Sequence, residues 1–429
     1  MEIHKYFLVL LIFLTMPVIT MNYGKKGRLL TFIFLFLCTF FMFLSFFNIT
    51  DVLFNLDFSK LDHFPKQIML SFSVFNLFLF LFQSKNLSST STKNMLAYFF
   101  LFVGSFFFLK AENFFIYVLC FQFLNLTLFF PYISFGNEKT PKELLNYFIL
   151  TIFVFCLFIL GISFFVGATS TLNFYNFEVI NQSLFVLSVS FFIFVTCFKL
   201  GVFPFHNWLP PLYSGFNSKN IFSYFFIEKV VFGWSLISIL QSLIMKLGPN
   251  LRDLVLTCLT ILSLLTSFYG ILVAMMQTKI KKIISYHTIS HSGFLLFFAC
   301  LPFEQKMNQQ FLFYLIFYSL SLTFTYLLLG FGNEKRVIDD VDDLTYLFQD
   351  NPKHAIGLFV SFILLFSTTL TLGFVFNFQI FINSFKEGFM FEIVTLLGLN
   401  FLGTGFLLNR VLVIFKKRLK VKDKIAFSN

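Results

Sequence analysis

Charge is scarce in this chain. Asp, Glu, Lys and Arg make up 12% of its 429 residues, about half the roughly 25% typical of a water-soluble domain, while 58% of the residues are hydrophobic. A soluble fold could not cover that much apolar surface, so the chain is expected in a bilayer. Cysteine is sparse too: Cys38, Cys120, Cys156, Cys197, Cys258 and Cys300 each lie in an apolar stretch, with no CxxC pair and no nearby His at metal-ligand spacing. They read as buried small hydrophobes, and no metal is expected. Neither a Gly-rich nucleotide loop nor a cluster-binding Cys pattern occurs, so no cofactor is expected on this chain. A net charge of +11 is a feature shared with nucleic-acid binders, but here the cations sit in short loops between apolar runs. No nucleic-acid partner is expected; the lipid bilayer, with its headgroups and membrane potential, is the partner that the composition supports.

Gly, Pro and Arg also run low, at 20, 10 and 5 residues, against 76 Phe and 26 Lys. Phe and Lys have AT-rich codons and the scarce residues mostly GC-rich ones, which points to an AT-rich organellar gene. Met1 leads almost directly into the apolar stretch Tyr6 to Thr20 without an Arg-rich, Ser-rich presequence, as expected of an organelle-encoded protein. The expected location is the mitochondrial inner membrane, with a bacterial plasma membrane as the alternative.

A bilayer core of about 30 Å takes roughly 20 apolar residues of helix, and on that basis the chain holds thirteen spans, near 6–23, 29–50, 67–83, 95–109, 113–133, 145–167, 184–209, 219–244, 253–276, 280–303, 310–331, 355–383 and 388–415. Runs of this length exceed the roughly ten residues of a membrane strand, so the expected fold class is all-α, a polytopic transmembrane helix bundle. With cations at span edges assigned to the nearest loop, the loops after odd-numbered spans and the C-terminal tail carry 20 Lys and Arg, the opposite side 8, and the spans themselves 3. The tail, Lys416 to Lys424, is therefore expected in the matrix or cytoplasm. The acidic segment Glu334 to Asp350, with Asp339, Asp340, Asp342 and Asp343, reads either as a solvated loop or surface helix or as a docking surface for a partner; it lacks the Gly and terminal Glu of a calcium loop.

Two of the intramembrane cations are lysines, Lys199 about fifteen residues into its span and Lys229 about ten into the next. Each charge at a helix centre costs about 2.5–3.5 kcal/mol on insertion scales, so both need water or a counter-charge. A buried lysine can take up and release protons; alternatively it serves only as a structural ion pair. Glu228 is the obvious carboxylate for pairing, although adjacent helical residues point about 100° apart, so it does not face Lys229 directly. Pro204, five residues after Lys199, should break the helix. Irregular backbone at depth survives only where protein or water receives it, and His206 follows that break. Farther on, Thr288, His291 and Ser292 share a helical face, and His287 and His291 lie four apart; hydrogen bonding to internal water, helix packing and, least supported, metal binding are the alternatives for this pair.

The run Phe198 to Gly215, FKLGVFPFHNWLPPLYSG, resembles the lysine-bearing broken helix of the antiporter-like subunits of respiratory complex I. Its Pro-Phe-His-x-Trp core and the Tyr213-x-Gly215 ending look most like subunit 2. Lys229 sits where that family has its second membrane lysine. Ile280 to Phe294, IKKIISYHTISHSGF, and Leu372-Gly373-Phe374 resemble two further family segments, although Ser367 to Thr369 stand in place of the Gly-x-Pro that usually precedes the latter. The likeness covers roughly residues 110–415.

The resemblance implies two inverted five-helix repeats, spans 4–8 and 9–13, each with one discontinuous helix, and an end before the family's fourteenth helix. It divides the chain into N-terminal helices (1–94), an antiporter-like core (95–415) and a basic tail (416–429). The implied function is that of a membrane-arm subunit of proton-pumping NADH:ubiquinone oxidoreductase, whose FMN, iron-sulfur clusters and ubiquinone belong to other subunits and whose other membrane-arm subunits are its partners. A structural spacer in the same complex and a subunit of a cation/proton antiporter complex are the alternatives. Lys199, Lys229, His206 and His291 are the implied proton-path residues. Two positions depart from the pattern: Gln122 stands where the family's glutamate opposite the first lysine is expected, and Asn377 where its last lysine is expected. Glu112, ten residues before Gln122, lies about 15 Å farther along a helix and cannot take its place. Lys199 is therefore expected to lack a nearby carboxylate.

Overall fold

A computed structural model describes residues 100–135 apart from 102, then 140–215, 225, 227–301, 305–330, 340, 341, 343, 344, 352–365 and most of 381–409. The first three expected spans, Asn377 and the basic tail lie outside the described residues. The described residues are almost entirely helical: α1 (Phe114–Phe135), α2 (Thr140–Thr169), α3 (Gln182–Leu200), the short α4 (Leu209–Gly215), a π-helical turn (Ile227–Phe232) running into α5 (Gly233–Ile244), α6 (Pro249–Met276), α7 (Ile280–Phe298), α8 (Gln305–Gly330) and α9 (Pro352–Leu365), followed by α10 (Met390–Gly403). Extended pairing among the described residues is confined to two isolated bridges, Asn113 with Asn173 and Lys279 with Asp340.

The chain forms two compact units, one holding residues 100–111 and 116–135, the other 112–115 and the described residues from 140 onward. In the first, the helical residues 100–110 pack on α1. Gly104 permits this approach, since a Cβ there would lie 2.9 Å from Leu124 Cδ2, and the Phe108 and Tyr117 rings meet with centroids 4.2 Å apart.

Among the described residues, the second unit has five helices long and apolar enough to cross a membrane: Lys142–Thr169, Gln182–Leu200, Ile227–Ile244, Pro249–Met276 and Gln310–Leu329. Their outward faces stay apolar. Ile149, Phe153 and Leu160 on α2 and Leu254, Ile261, Leu265, Phe268 and Met276 on α6 are all exposed, a pattern suited to lipid and costly in water. Local signals set the helix ends. Asn181 caps α3 by accepting bonds from Ser183 N at 3.1 Å and Leu184 N at 3.4 Å, and Pro249 opens α6, where its missing N–H costs nothing.

α7 reverses the usual pattern. It carries Ser285, His287, Thr288, Ser290, His291 and Ser292, yet every one of them is buried. It lies against α6 at backbone distance. A Cβ on Gly270 would sit 2.8 Å from Ser290 Cα, and one on Gly293 would sit 2.5 Å from Ser263 O and 2.8 Å from Ser267 N. Only glycine permits that spacing, the small-residue packing that brings membrane helices together without a hydrophobic driving force between them. Between α6 and α7, Thr278 O accepts from Val341 N at 3.2 Å, and Asp343 Oδ2 accepts from Asp340 N at 2.9 Å.

Candidate functional site

The site begins where α3 ends. An α-helix would continue by bonding the Leu200 carbonyl to the N–H four residues on, but that residue is Pro204, which has none. The helix stops at Leu200 with Gly201 at φ 75°, the left-handed conformation that favours glycine, and the cap N–H groups turn back to Cys197 and Phe198. Residues 201–208 form turns before α4. Trp208 Nε1 donates to the Phe198 carbonyl at 3.2 Å, and its ring lies 4.6 Å from that of Tyr147 on α2, fixing the return of the chain.

The freed Leu200 carbonyl is taken up by two groups from other elements. Lys229, in the π-helical turn, donates to it at 3.2 Å and to Ser292 Oγ of α7 at 3.0 Å, and the Ser292 hydroxyl bonds the same Leu200 carbonyl. Lys199, one residue before Leu200, meets Glu228, one residue before Lys229. The amine lies 3.4 Å from Glu228 Oε1 and 3.3 Å from the Tyr147 hydroxyl, which itself donates to Glu228 Oε1 at 2.8 Å. Phe232 closes the site, with the Lys199 amine 4.6 Å from its ring centroid. Lys199, Glu228 and Lys229 are each no more than 2% exposed, so the contacts are shielded from solvent and stronger than surface pairs.

This overturns the expectation that Lys199 lacks a carboxylate: Glu228, 29 residues later, supplies one. Gln122 lies on α1 in the first unit, and its Oε1 is buried without a hydrogen-bond partner among the described residues. The reason for the partner is geometric. α3 and the π-helical turn bring the two consecutive pairs, Lys199-Leu200 and Glu228-Lys229, against one another, so each member of one pair meets a member of the other.

The two histidines separate. His206 is buried, with ring centroids 5.6 Å from Phe203 and 4.6 Å from Tyr269 of α6, and makes no hydrogen bond to either lysine among the described residues. His291 sits on α7 one residue before Ser292. Its Nδ1 pairs with the Tyr314 hydroxyl, its ring packs 4.2 Å from Tyr318 and 4.5 Å from His287, and the hydroxyl of Tyr318 is buried without a hydrogen-bond partner among the described residues. The sequence reading missed these α8 tyrosines. Tyr314 and Tyr318 lie four apart and hence on one helical face, a spacing visible beforehand but diluted in an aromatic-rich helix. Among the described residues no group of three or more His, Cys, Asp or Glu side chains that could hold a metal ion occurs.

The family described as NADH:quinone oxidoreductase/Mrp antiporter, transmembrane, matches residues 111–403, well over half of the chain. The chain belongs to this antiporter-type family. Its curated relatives include NADH-quinone oxidoreductase subunit N of Pelobacter propionicus, 27% identical over 328 residues, which cover 76% of this chain and 69% of the relative. The protein of the same name from Bdellovibrio bacteriovorus is 26% identical over 329 residues, covering 73% and 66%. The chain thus spans about two thirds of the length of these relatives. Among solved structures, respiratory complex I from Thermus thermophilus contains a chain similar in fold, with TM-score 0.70 at 17% identity, covering 94% of this chain and 88% of that one. The Mrp complex from a Dietzia species contains another, with TM-score 0.70 at 16% identity and coverages of 82% and 66%. The buried lysines, the helix break and the polar α7 all fall inside the segment matched to the antiporter-type family.

Proposed function

We propose that this antiporter-type chain is a membrane-arm subunit of a proton-pumping NADH:ubiquinone oxidoreductase, the subunit 2 counterpart of the bacterial subunit N, and that it moves protons through Lys199 and Lys229. The observation that carries this reading is the buried junction in which both lysines meet. One is paired with Glu228, the other is held by Leu200 O and Ser292 Oγ, and Leu200 directly follows Lys199. Two lysines at that depth are expensive as decoration and useful as proton carriers.

His291 and the tyrosines of α8 extend the polar region from Lys229 into the bundle, and His206 lines the break on the α6 side. Asn377 cannot hold a charge, so the chain retains a half-path of the family type, with its exit completed by water or by another group. Two inverted five-helix repeats between residues 95 and 415, and a basic tail from 416 on the matrix or cytoplasmic face, belong to the same reading. NADH oxidation, with FMN, iron-sulfur clusters and ubiquinone, takes place on the other subunits, and the neighbouring membrane-arm subunits are its partners. The codon-linked composition supports the mitochondrial inner membrane, while the bacterial relatives support a plasma membrane.

A spacer role within the same complex draws its support from the amides at 122 and 377. The deciding measurement is the proton yield per NADH of the intact complex carrying Lys199→Met or Lys229→Met. Conduction predicts a lower yield with assembly intact; an unchanged yield assigns the chain the spacer role. Purification with an antiporter complex free of NADH dehydrogenase activity would instead place it with Mrp-type assemblies.

A further inference from the structure

Lys199, Glu228 and Lys229 are the buried Asp, Glu, Lys and Arg side chains among the described residues. Two amines and one carboxylate share the site, so full ionisation would leave one uncompensated positive charge, which burial penalises heavily. Loss of one proton makes the trio neutral. Its ionisable groups therefore suit the uptake and release of a single proton.

Glu228 is placed to govern that exchange. Its Oε1 holds the Lys199 amine and accepts from the Tyr147 hydroxyl, while its Oε2 is buried with no hydrogen-bond partner among the described residues. Lys229 follows it in the chain and lies within its electrostatic reach, but the hydrogen bonds of that amine go to two uncharged oxygens, Leu200 O and Ser292 Oγ. The carboxylate thus holds one lysine through one oxygen and acts on the other electrostatically. It is carried on a π-helical turn, an irregularity frequent at functional sites. Tyr213 also lies within its electrostatic reach, so among the described residues the titratable groups around the carboxylate are Lys199, Tyr147, Lys229 and Tyr213.

We propose that Glu228 is the positioning carboxylate of the proton path, remaining ionised and compensating whichever of Lys199 and Lys229 carries the proton, so that the trio exchanges one proton at a time. The N–H bond broken at one amine is matched by one formed at the other, and no carboxyl protonation is required. Glu228 thereby supplies the counter-charge that Gln122 cannot.

This inference rests on the conduction reading, and the test separates the two. The intact complex in sealed vesicles is assayed for proton yield per NADH across pH, with Lys199→Met, Glu228→Gln and Glu228→Asp. The expected result is a loss with Glu228→Gln as large as that with Lys199→Met, and a yield close to the parent with Glu228→Asp. A loss with Lys199→Met alongside a parental yield and pH profile in Glu228→Gln overturns the role of Glu228 and leaves conduction standing. A parental yield in Lys199→Met overturns both. Should Glu228→Gln fail to assemble, Tyr147→Phe removes the hydroxyl donor to Oε1 and keeps the ring. A shifted pH profile for proton yield is then expected, and an unshifted one overturns the proposal.

Discussion

A proline four residues downstream decides what the Leu200 carbonyl can bond. With no N–H at position 204, that carbonyl is left to Lys229 and Ser292. Pro204→Ala would restore a backbone donor at the position where a continuing helix needs it, and the Leu200 carbonyl would then be contested. The expected outcome is a reduced proton yield per NADH with NADH oxidation by detergent-solubilised complex unchanged; a parental yield in the assembled variant would show that Lys229 does not depend on this acceptor. The proline, both lysines and His206 were legible in the sequence because charge at membrane depth and a helix breaker are rare and costly. The Lys199–Glu228 pair was not, because adjacency drew attention to Lys229. Glu228 has the depth of its neighbour, and Lys199 and Lys229 sit near mid-span in consecutive helices that run in opposite directions. Depth arithmetic, applied to the carboxylate as well, would have found the partner.

Among the elements, expected spans 5, 6, 9, 10 and 11 coincide with helices to within five residues, whereas span 7 runs past the end of α3 at Leu200 and the start of span 8 lies outside the described residues. Long apolar runs bounded by Asn, Pro and Gly leave little choice, as Asn181 before α3 and Pro249 at the start of α6 illustrate. The π-helical turn at Ile227–Phe232 was invisible, since IEKVVF carries no composition that separates it from an ordinary helix. The glycine contact between α6 and α7 was equally hidden: Gly270 and Gly293 are 23 residues apart in sequence and acquire meaning only when the helices meet. Gly270→Val would drive side-chain atoms into the Ser290 backbone. Overpacking of this kind costs about 1–3 kcal/mol, so the variant is expected to lower the melting temperature of the complex or its assembled yield. Gly398→Val, where a Cβ would meet nothing within 4 Å, should leave both close to the parent and serves as the control.

For the whole molecule, the uneven distribution of cations sets the orientation. Twenty Lys and Arg on one side against eight on the other predict that the tail from Lys416 to Lys424 faces the matrix or cytoplasm. Protease applied to sealed mitoplasts or to right-side-out cells should leave a C-terminal tag intact, and cleavage of the tag without permeabilisation would reverse the assignment. The close seam between α6 and α7 has a mechanical consequence at this scale. Helices in contact through backbone atoms cannot slide past one another without collision, so the pair behaves as one stiff bar. One side of that bar, on α6, is apolar and faces outward; the other, on α7, bears Ser292 and its grip on Lys229. A displacement imposed on the outer side, whether by a neighbouring chain or by lipid pressure, would be carried to the inner side, making the bar a lever whose short arm ends at the Lys229 amine.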